Sequence, residues 1–310
     1  MRDRILVIAG PTAVGKTEYA IRAAEAFNGE IVSCDSMQIY RYMNIGSAKP
    51  SPEELSRVPH HLVDFADPRE PFTVADYQRL AREAVADIIS RGRLPVIAGG
   101  TGLYLNSLLL PMDFAKAPEN SEYREELLAL AEEKGREYLH CMLEDADPEA
   151  AARIHPNNVK KVIRALERLK EGEKKVRPFA EAREEDFLYD AVLIGLTRPR
   201  EELYSRINRR VDMMIDEGLE EEVRGLLDMG LDESFTSMKG IGYKEMLEYL
   251  DGRCTLETAI DNIKKNSRHY AKRQLTWFRR YDTMKWYDLS EYLSDSQAVE
   301  VIGECLTRRI

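Results

Sequence analysis

Apolar residues follow two rhythms along this chain. RILVIAG is short and almost continuously apolar, as expected of a strand buried on both faces, and EIVSCD (ending at Asp35), LPVIAGGTG and AVLIGL (Ala191 to Leu196) repeat that texture. Between them, KTEYAIRAAEAF, Val74 to Ser90 and LYLNSLLL space their apolar positions three and four apart, which predicts helices; Arg91-Gly92 ends the second of these. Strands alternating with helices predict an α/β fold, a parallel sheet with helices on both faces.

The texture changes from about Ala115 to Thr197. Charged helical stretches take over, such as EYREELLALAEEKGREYLHCMLE and NVKKVIRALERLKEG. The expected organisation is an α/β core over 1–114, a helical insertion over 115–197, and a return to the core with C-terminal helices over 198–310. AVLIGL reads as a core strand, so the chain is expected to rejoin the sheet there. The remainder is mainly helical, with breaks at Gly230, Gly240-Ile241-Gly242 and Gly252.

Composition narrows the class. Apolar content of 44% is ordinary for a globular protein. The run ILVIAG is too short for a membrane span or a signal-peptide core, so a cytoplasmic protein with no membrane partner is expected. Cys34, Cys141, Cys254 and Cys305 are scattered without C-x-x-C pairing and read as buried free thiols, not a zinc site or disulfide framework. A net charge of −10 argues against indiscriminate coating of nucleic acid. The charge is uneven, however. Glu119 to Ala151 holds 11 acidic and 3 basic residues, Arg153 to Arg177 holds 9 basic and 3 acidic, and Asp261 to Lys285 holds 8 basic and 2 acidic. Each basic segment alone suits a solvated helix face; two of them in an acidic protein suggest a localised anionic partner.

The strongest motif lies between the first strand and the first helix. Gly10, Pro11, Thr12, Ala13, Val14, Gly15, Lys16 and Thr17 fit G-x-x-x-x-G-K-[ST], a phosphate-binding loop. Its backbone N–H groups converge on phosphate oxygens at a helix N-terminus, Lys16 adds a point charge, and the Thr17 hydroxyl can ligate Mg²⁺. An ATPase of this class has a further strand ending in Asp. Here LPVIA runs instead into Gly99-Gly100-Thr101, and Asp64 in HHLVDF follows only a short apolar run.

Asp35 closes the second strand, where it either faces the ligand at the sheet's carboxyl edge or caps a helix that follows. Thr101 offers a hydroxyl at the same edge. RHYAKRQLTWFRRY places Arg268, Lys272 and Arg279 near one helix face with Tyr270, Trp277 and Phe278 interleaved. That mixture suits either phosphate contacts with base stacking or an ordinary amphipathic helix. The five histidines show no metal-ligand spacing.

Together these stretches resemble the tRNA dimethylallyltransferases, also called tRNA isopentenyltransferases. GPTAVGKT, DSMQIYRYMNIGSAKP, HHLVDFADP, GGTGLYLNSLL, RIHPNNVKKVIRALE, INRRVDMMIDEGLEEEV, GIGYKE and AKRQLTW occur in the family's order, and the pattern resembles the bacterial type, for which the C-terminal zinc finger of eukaryotic members is not expected. The resemblance implies a P-loop nucleotide-kinase-like core and a helical insertion that helps grip the anticodon stem-loop. It implies transfer of a dimethylallyl group from dimethylallyl diphosphate to N6 of the adenine 3′ of the tRNA anticodon, with Mg²⁺ at Thr17 and no obligate protein partner. It makes Asp35 the general base, with Thr101 and Arg210 assisting at the diphosphate. It assigns tRNA contacts to Asp35, Ser36, Met37, Gln38 and Thr101, to Val159, Lys160, Lys161, Val162 and Ile163, and to Lys272, Arg273 and Gln274. Two other readings explain part of the sequence. A small-molecule or nucleotide kinase leaves the basic segments unused, and a nucleotide-regulated RNA-binding protein gives Asp35 and Thr101 no work.

Overall fold

Short apolar runs become the strands β1 (Arg4–Ala9), β2 (Gly29–Cys34), β3 (His60–His61), β4 (Leu94–Gly99), β5 (Asp190–Thr197) and β6 (Lys285–Asp288). The computed structural model describes residues 2–112, 121–170, 184–291 and 299–301, together with 303, 304 and 306. Among these the strands form one sheet in the order β3-β2-β4-β1-β5-β6, every pair parallel. Leu6, Ile8, Ile31, Val96 and Ile194 share one apolar cluster on one face. The alternating Ile5, Val7, Val32 and Ile97 are just as buried, so both faces are covered, as a parallel sheet requires. β3 and β6 escape the pattern because one has two polar residues and the other reads KWYD.

The helices are α1 (Lys16–Ala26), α2 (Pro52–Arg57), α3 (Val74–Ser90), α4 (Gly102–Leu109), α5 (Ser121–Lys134), α6 (Arg136–Ala146), α7 (Pro148–Arg153), α8 (Val159–Lys170), α9 (Arg200–Asp216), α10 (Leu219–Asp228), α11 (Tyr243–Leu250) and α12 (Leu256–Phe278). α3 starts where Thr73 and Asp76 exchange side-chain and backbone hydrogen bonds in a capping box, which satisfies two donors the helix leaves open. Among the described residues no helix is long and apolar enough to cross a membrane.

The chain divides into two compact units, one of Met1–Pro111 with Glu184–Ile310 and one of Met112–Arg183. A boundary at 197 would therefore assign β5 to the insertion, yet β5 pairs with β1 from Arg4↔Asp190 to Ala9↔Gly195 and belongs to the sheet. The first unit also holds a helical cluster of Val211, Leu219, Val223, Met246 and Ile263 with Ile39 and Met43.

The second unit has its own core, built from Leu127, Leu139, Leu143, Ala150, Val162, Ile163 and Leu166. Its first charged stretch is two helices, broken at Gly135, whose φ of 87° suits glycine. On α8 the helical period turns Val162 and Ile163 into that core, 0% and 3% exposed, while Lys160 and Lys161 stay exposed. Val162 and Ile163 are thus packing residues in this structure rather than surface contacts, and Val159 packs partly against the same core. Of the cysteines, Cys34 is buried as expected, but Cys254 is only partly so and Cys141 is exposed on α6. Residues 119 and 120 of the acidic segment, residues 171–177 of the basic one, and Cys305 lie outside the described residues.

Candidate active site

Register places the carboxyl ends of three strands side by side: Ala9 and Cys34 each pair with Gly99. The phosphate-loop motif leaves β1 at this edge. Gly10 has a φ of 154°, and a Cβ there would lie 2.6 Å from the Leu196 carbonyl oxygen of β5, so only glycine fits. Ala13 adopts a left-handed φ of 62°, and Gly15 turns the chain into α1. No side chain caps α1, which leaves its first N–H groups open toward a ligand. Lys16 Nζ folds back to donate to the Pro11 carbonyl at 2.8 Å. Burial pushes the Lys16 pKa down to about 8; Asp35 opposes that shift, and Arg210 adds to it.

Asp35 lines two cavities at this edge and also caps, but a turn and not the helix expected from sequence. Its Oδ1 accepts from the N–H groups of Met37 at 2.9 Å and Gln38 at 3.4 Å, which caps the turn after β2. Its Oδ2 has no hydrogen-bond partner among the described residues. One oxygen is spent on the fold and the other is available for chemistry. Just before it, the buried Cys34 thiol is pushed up to about 12 by burial, with Asp35 acting in the same direction.

Thr101 joins the strand ends. Its N–H donates to Cys34 O at 3.0 Å, and its Oγ1 accepts from Ser36 N–H at 3.1 Å. Gln38 is held by Ala48 O at 3.0 Å and Ser33 Oγ at 3.3 Å. Gln274, 4% exposed, takes the Thr12 N–H on Oε1 at 2.8 Å and donates from Nε2 to Gly100 O at 3.0 Å. A Cβ on Gly100 would come within 2.1 Å of that nitrogen, so the glycine is required for the close approach. With its amide bonded to both Thr12 and Gly100, Gln274 braces the phosphate loop and lines the first cavity from inside, instead of standing on the helix surface. Lys272 and Arg273, on the same helix, are exposed, and the Arg273 guanidinium lies 5.6 Å from the Tyr270 ring centre.

Two cavities meet at this edge. The first, about 380 Å³, is lined by Lys16, Thr17, Gln38, Glu54 and other polar groups. The second, about 390 Å³, is more apolar and is lined by Met37, Tyr40, Phe72, Tyr104, Ile207 and Ile241. Thr12, Asp35, Ser47, Arg210, Met214 and Tyr270 line both, and Thr101 lines neither. Arg210, half-buried on α9, has no hydrogen-bond or ion-pair partner among the described residues, and burial lowers its pKa, with Arg206 adding to the shift. An unpaired guanidinium between two cavities is a site for an anion.

Several contributors were not visible in the motifs. The Glu222 carboxylate accepts from the N–H groups of Asn44 (2.7 Å), Ile45 (2.8 Å) and Gly46 (3.1 Å) and from the Tyr243 hydroxyl (2.8 Å), fixing the loop that walls both cavities. Arg198 and Arg206 bind loop carbonyls from outside. The four-residue spacing of Arg206 and Arg210 on one helix was the available signal for the former. Asp64 is paired with Lys49 at 2.6 Å and lines neither cavity.

A parallel sheet whose carboxyl edge carries a glycine-rich loop running into a helix defines the P-loop α/β class. Within that class the chain belongs to the IPP transferase family, whose model matches residues 38–281; a second model, described as isopentenyl transferase, matches residues 3–70. The chain is 52% identical over 308 residues to the tRNA dimethylallyltransferase of Alkaliphilus oremlandii, covering 99% of this chain and 97% of that protein. It is similar to the crystal structure of the full-length tRNA isopentenylpyrophosphate transferase from Bacillus halodurans, with a TM-score of 0.74 and 47% identity over 97% of this chain and 95% of that one. A eukaryotic dimethylallyltransferase captured acting on tRNA superposes with a TM-score of 0.83 at 27% identity, covering 99% of this chain and 80% of that one.

Proposed function

We propose that this chain transfers the dimethylallyl group of dimethylallyl diphosphate to N6 of the adenine 3′-adjacent to the tRNA anticodon, releasing diphosphate. The observation that carries the reading is the position of Asp35 and Arg210. Both stand where a polar cavity holding Lys16 and Thr17 meets an apolar one. The phosphate loop and Arg210 suit the diphosphate, whose charge grows as its bond to the allylic carbon breaks. The Asp35 Oδ2 suits the N6 proton, which must leave as the carbon–nitrogen bond forms because the adenine amine is a poor nucleophile. Thr101 holds the ends of β2 and β4 together and so keeps Asp35 in place. The adenine must be swung out of its stack to reach Asp35; the exposed Lys272 and Arg273 on the first unit suit RNA phosphates, and so, by themselves, do the exposed Lys160 and Lys161 on the second.

The residues present fit Mg²⁺. Among the described residues no group of three or more His, Cys, Asp or Glu side chains converges as a metal cage. Mg²⁺ in a phosphate site does not need one, since it is held largely by substrate oxygens and water. Thr17, which lines the first cavity, would supply the protein hydroxyl. When bound, the ion would neutralise part of the diphosphate charge.

Incubation with labelled dimethylallyl diphosphate and tRNA tests the reading. Label in a modified adenosine after nuclease digestion supports it. Phosphate transfer from ATP to a small acceptor without RNA, and no label in RNA, overturns it in favour of a kinase.

Two further results are expected. Burial lowers the Lys16 pKa to about 8, and a bound diphosphate favours its charged form. Donor affinity should therefore fall as pH rises through about 8, and binding near that pH should take up protons. Calorimetry in buffers of different ionisation enthalpy reads this uptake, which Lys16→Met should remove. In the insertion, Lys160→Ala with Lys161→Ala should weaken tRNA binding and flatten its salt dependence by about one unit of slope for each phosphate no longer neutralised. Affinity for the prenyl donor should stay at the wild-type value. An unchanged slope in a folded double variant would leave α8 with a merely solvated face.

A further inference from the structure

Three arginines approach the phosphate loop, and only Arg210 lines the two cavities where the ligand is expected. The other two hold the loop's backbone. Arg206 Nε donates to the Ala13 carbonyl at 2.9 Å, and Arg198 Nε donates to the Val14 carbonyl at 3.1 Å. Arg198 is itself oriented by Glu202, which accepts from its Nη1 at 2.6 Å.

A trans peptide is planar, with its C=O and N–H pointing in opposite directions. A donor fixed on Ala13 O therefore sets the direction of the Val14 N–H, which donates within the loop to the Pro11 carbonyl at 3.4 Å, and one fixed on Val14 O sets that of the Gly15 N–H. The Gly15 N–H has no acceptor among the described residues, as suits a group kept for a ligand. Ala13 also carries strain, because its φ of 62° is one that non-glycine residues avoid. Such a conformation persists only where its surroundings over-determine it. The hydrogen bond from Arg206 to Ala13's own carbonyl is a restraint of that kind. A charged donor on the carbonyl side also polarises the peptide and strengthens the N–H on the other side.

We infer that Arg206 and Arg198 are positioning residues of the donor site, which hold the Ala13–Val14 and Val14–Gly15 peptides, and with them the left-handed turn at Ala13, so that the Gly15 N–H faces the diphosphate. The inference rests on the reading of this loop as the holder of the donor's diphosphate. It differs from a plain charge effect in one testable respect. In both residues the donating atom is Nε, bonded to Cδ, and the Nε2 amide nitrogen of glutamine stands at the same place along the side chain. Glutamine can therefore keep the hydrogen bond while losing the charge.

The test is calorimetric binding of inorganic pyrophosphate to the full chain, with a melting curve for each variant. Arg206→Met should bind pyrophosphate about tenfold more weakly, the effect of one charge-assisted hydrogen bond. Arg206→Gln should return to within about threefold of wild type, allowing for a lost exposed charge. Arg198→Met and Arg198→Gln should repeat the pattern and give an independent reading if the Arg206 variants melt early. Arg206→Met binding like wild type, or Arg206→Gln binding as weakly as Arg206→Met, would overturn the inference while leaving the loop's role intact. Failure of the wild-type chain to bind pyrophosphate would overturn both.

Discussion

Asp35→Asn is expected to slow turnover by roughly 10²–10⁴-fold, the range for a positioned general base. The substitution is nearly isosteric, and that makes it informative. The asparagine Oδ1 can still accept from the Met37 and Gln38 N–H groups, so the cap after β2 survives. The second oxygen becomes an amide nitrogen, which cannot take a proton from N6. Binding of the prenyl donor should change little, because the phosphate loop is untouched. A single-turnover rate at saturating donor and RNA reads the chemical step directly. Near-normal turnover would reduce Asp35 to its capping role.

Arg210→Gln is expected to cost about 10²–10³-fold in turnover, as for loss of one preorganised donor to developing negative charge. It should also move stability in an unusual direction. Arg210 is half-buried and unpaired, and burial lowers its pKa, so the charged side chain opposes folding of the ligand-free protein. The variant should therefore melt no earlier than wild type without ligand, yet gain less from added diphosphate. A variant that melts early and is stabilised normally by diphosphate would mean that Arg210 serves the fold and not the anion.

Much of this site is written locally. The phosphate loop is a contiguous motif, and β1, β2, β4 and β5 are apolar runs that any placement in a parallel sheet would bury. Asp35 stands out because it follows such a run at the sheet's carboxyl edge. The rest depends on contacts between distant parts of the chain. Glu222 reads as one more acid in EGLEEEV until the fold brings it to the N–H groups of residues 44–46. Gln274 sits beside Lys272 and Arg273 in AKRQ, but the helical period turns it inward to Thr12 and Gly100 while they face out. Val162 and Ile163 differ from Lys160 and Lys161 in the same way: a contiguous motif occupies several faces of a helix. The two-residue β3 carries too little pattern to be recognised, and its pairing with β2 supplies what the residues do not.

The state of Cys34 has a consequence for the longevity of the catalyst. An allylic diphosphate is an electrophile, and a thiolate is a far better nucleophile than an adenine amine. Cys34 immediately precedes Asp35, yet burial pushes its thiol up to about 12. The thiolate is thus disfavoured at neutral pH, and Cys34 lines neither cavity. The same packing that closes the end of β2 holds this sulfur as a buried thiol, a poor competitor for any electrophile bound at the neighbouring Asp35.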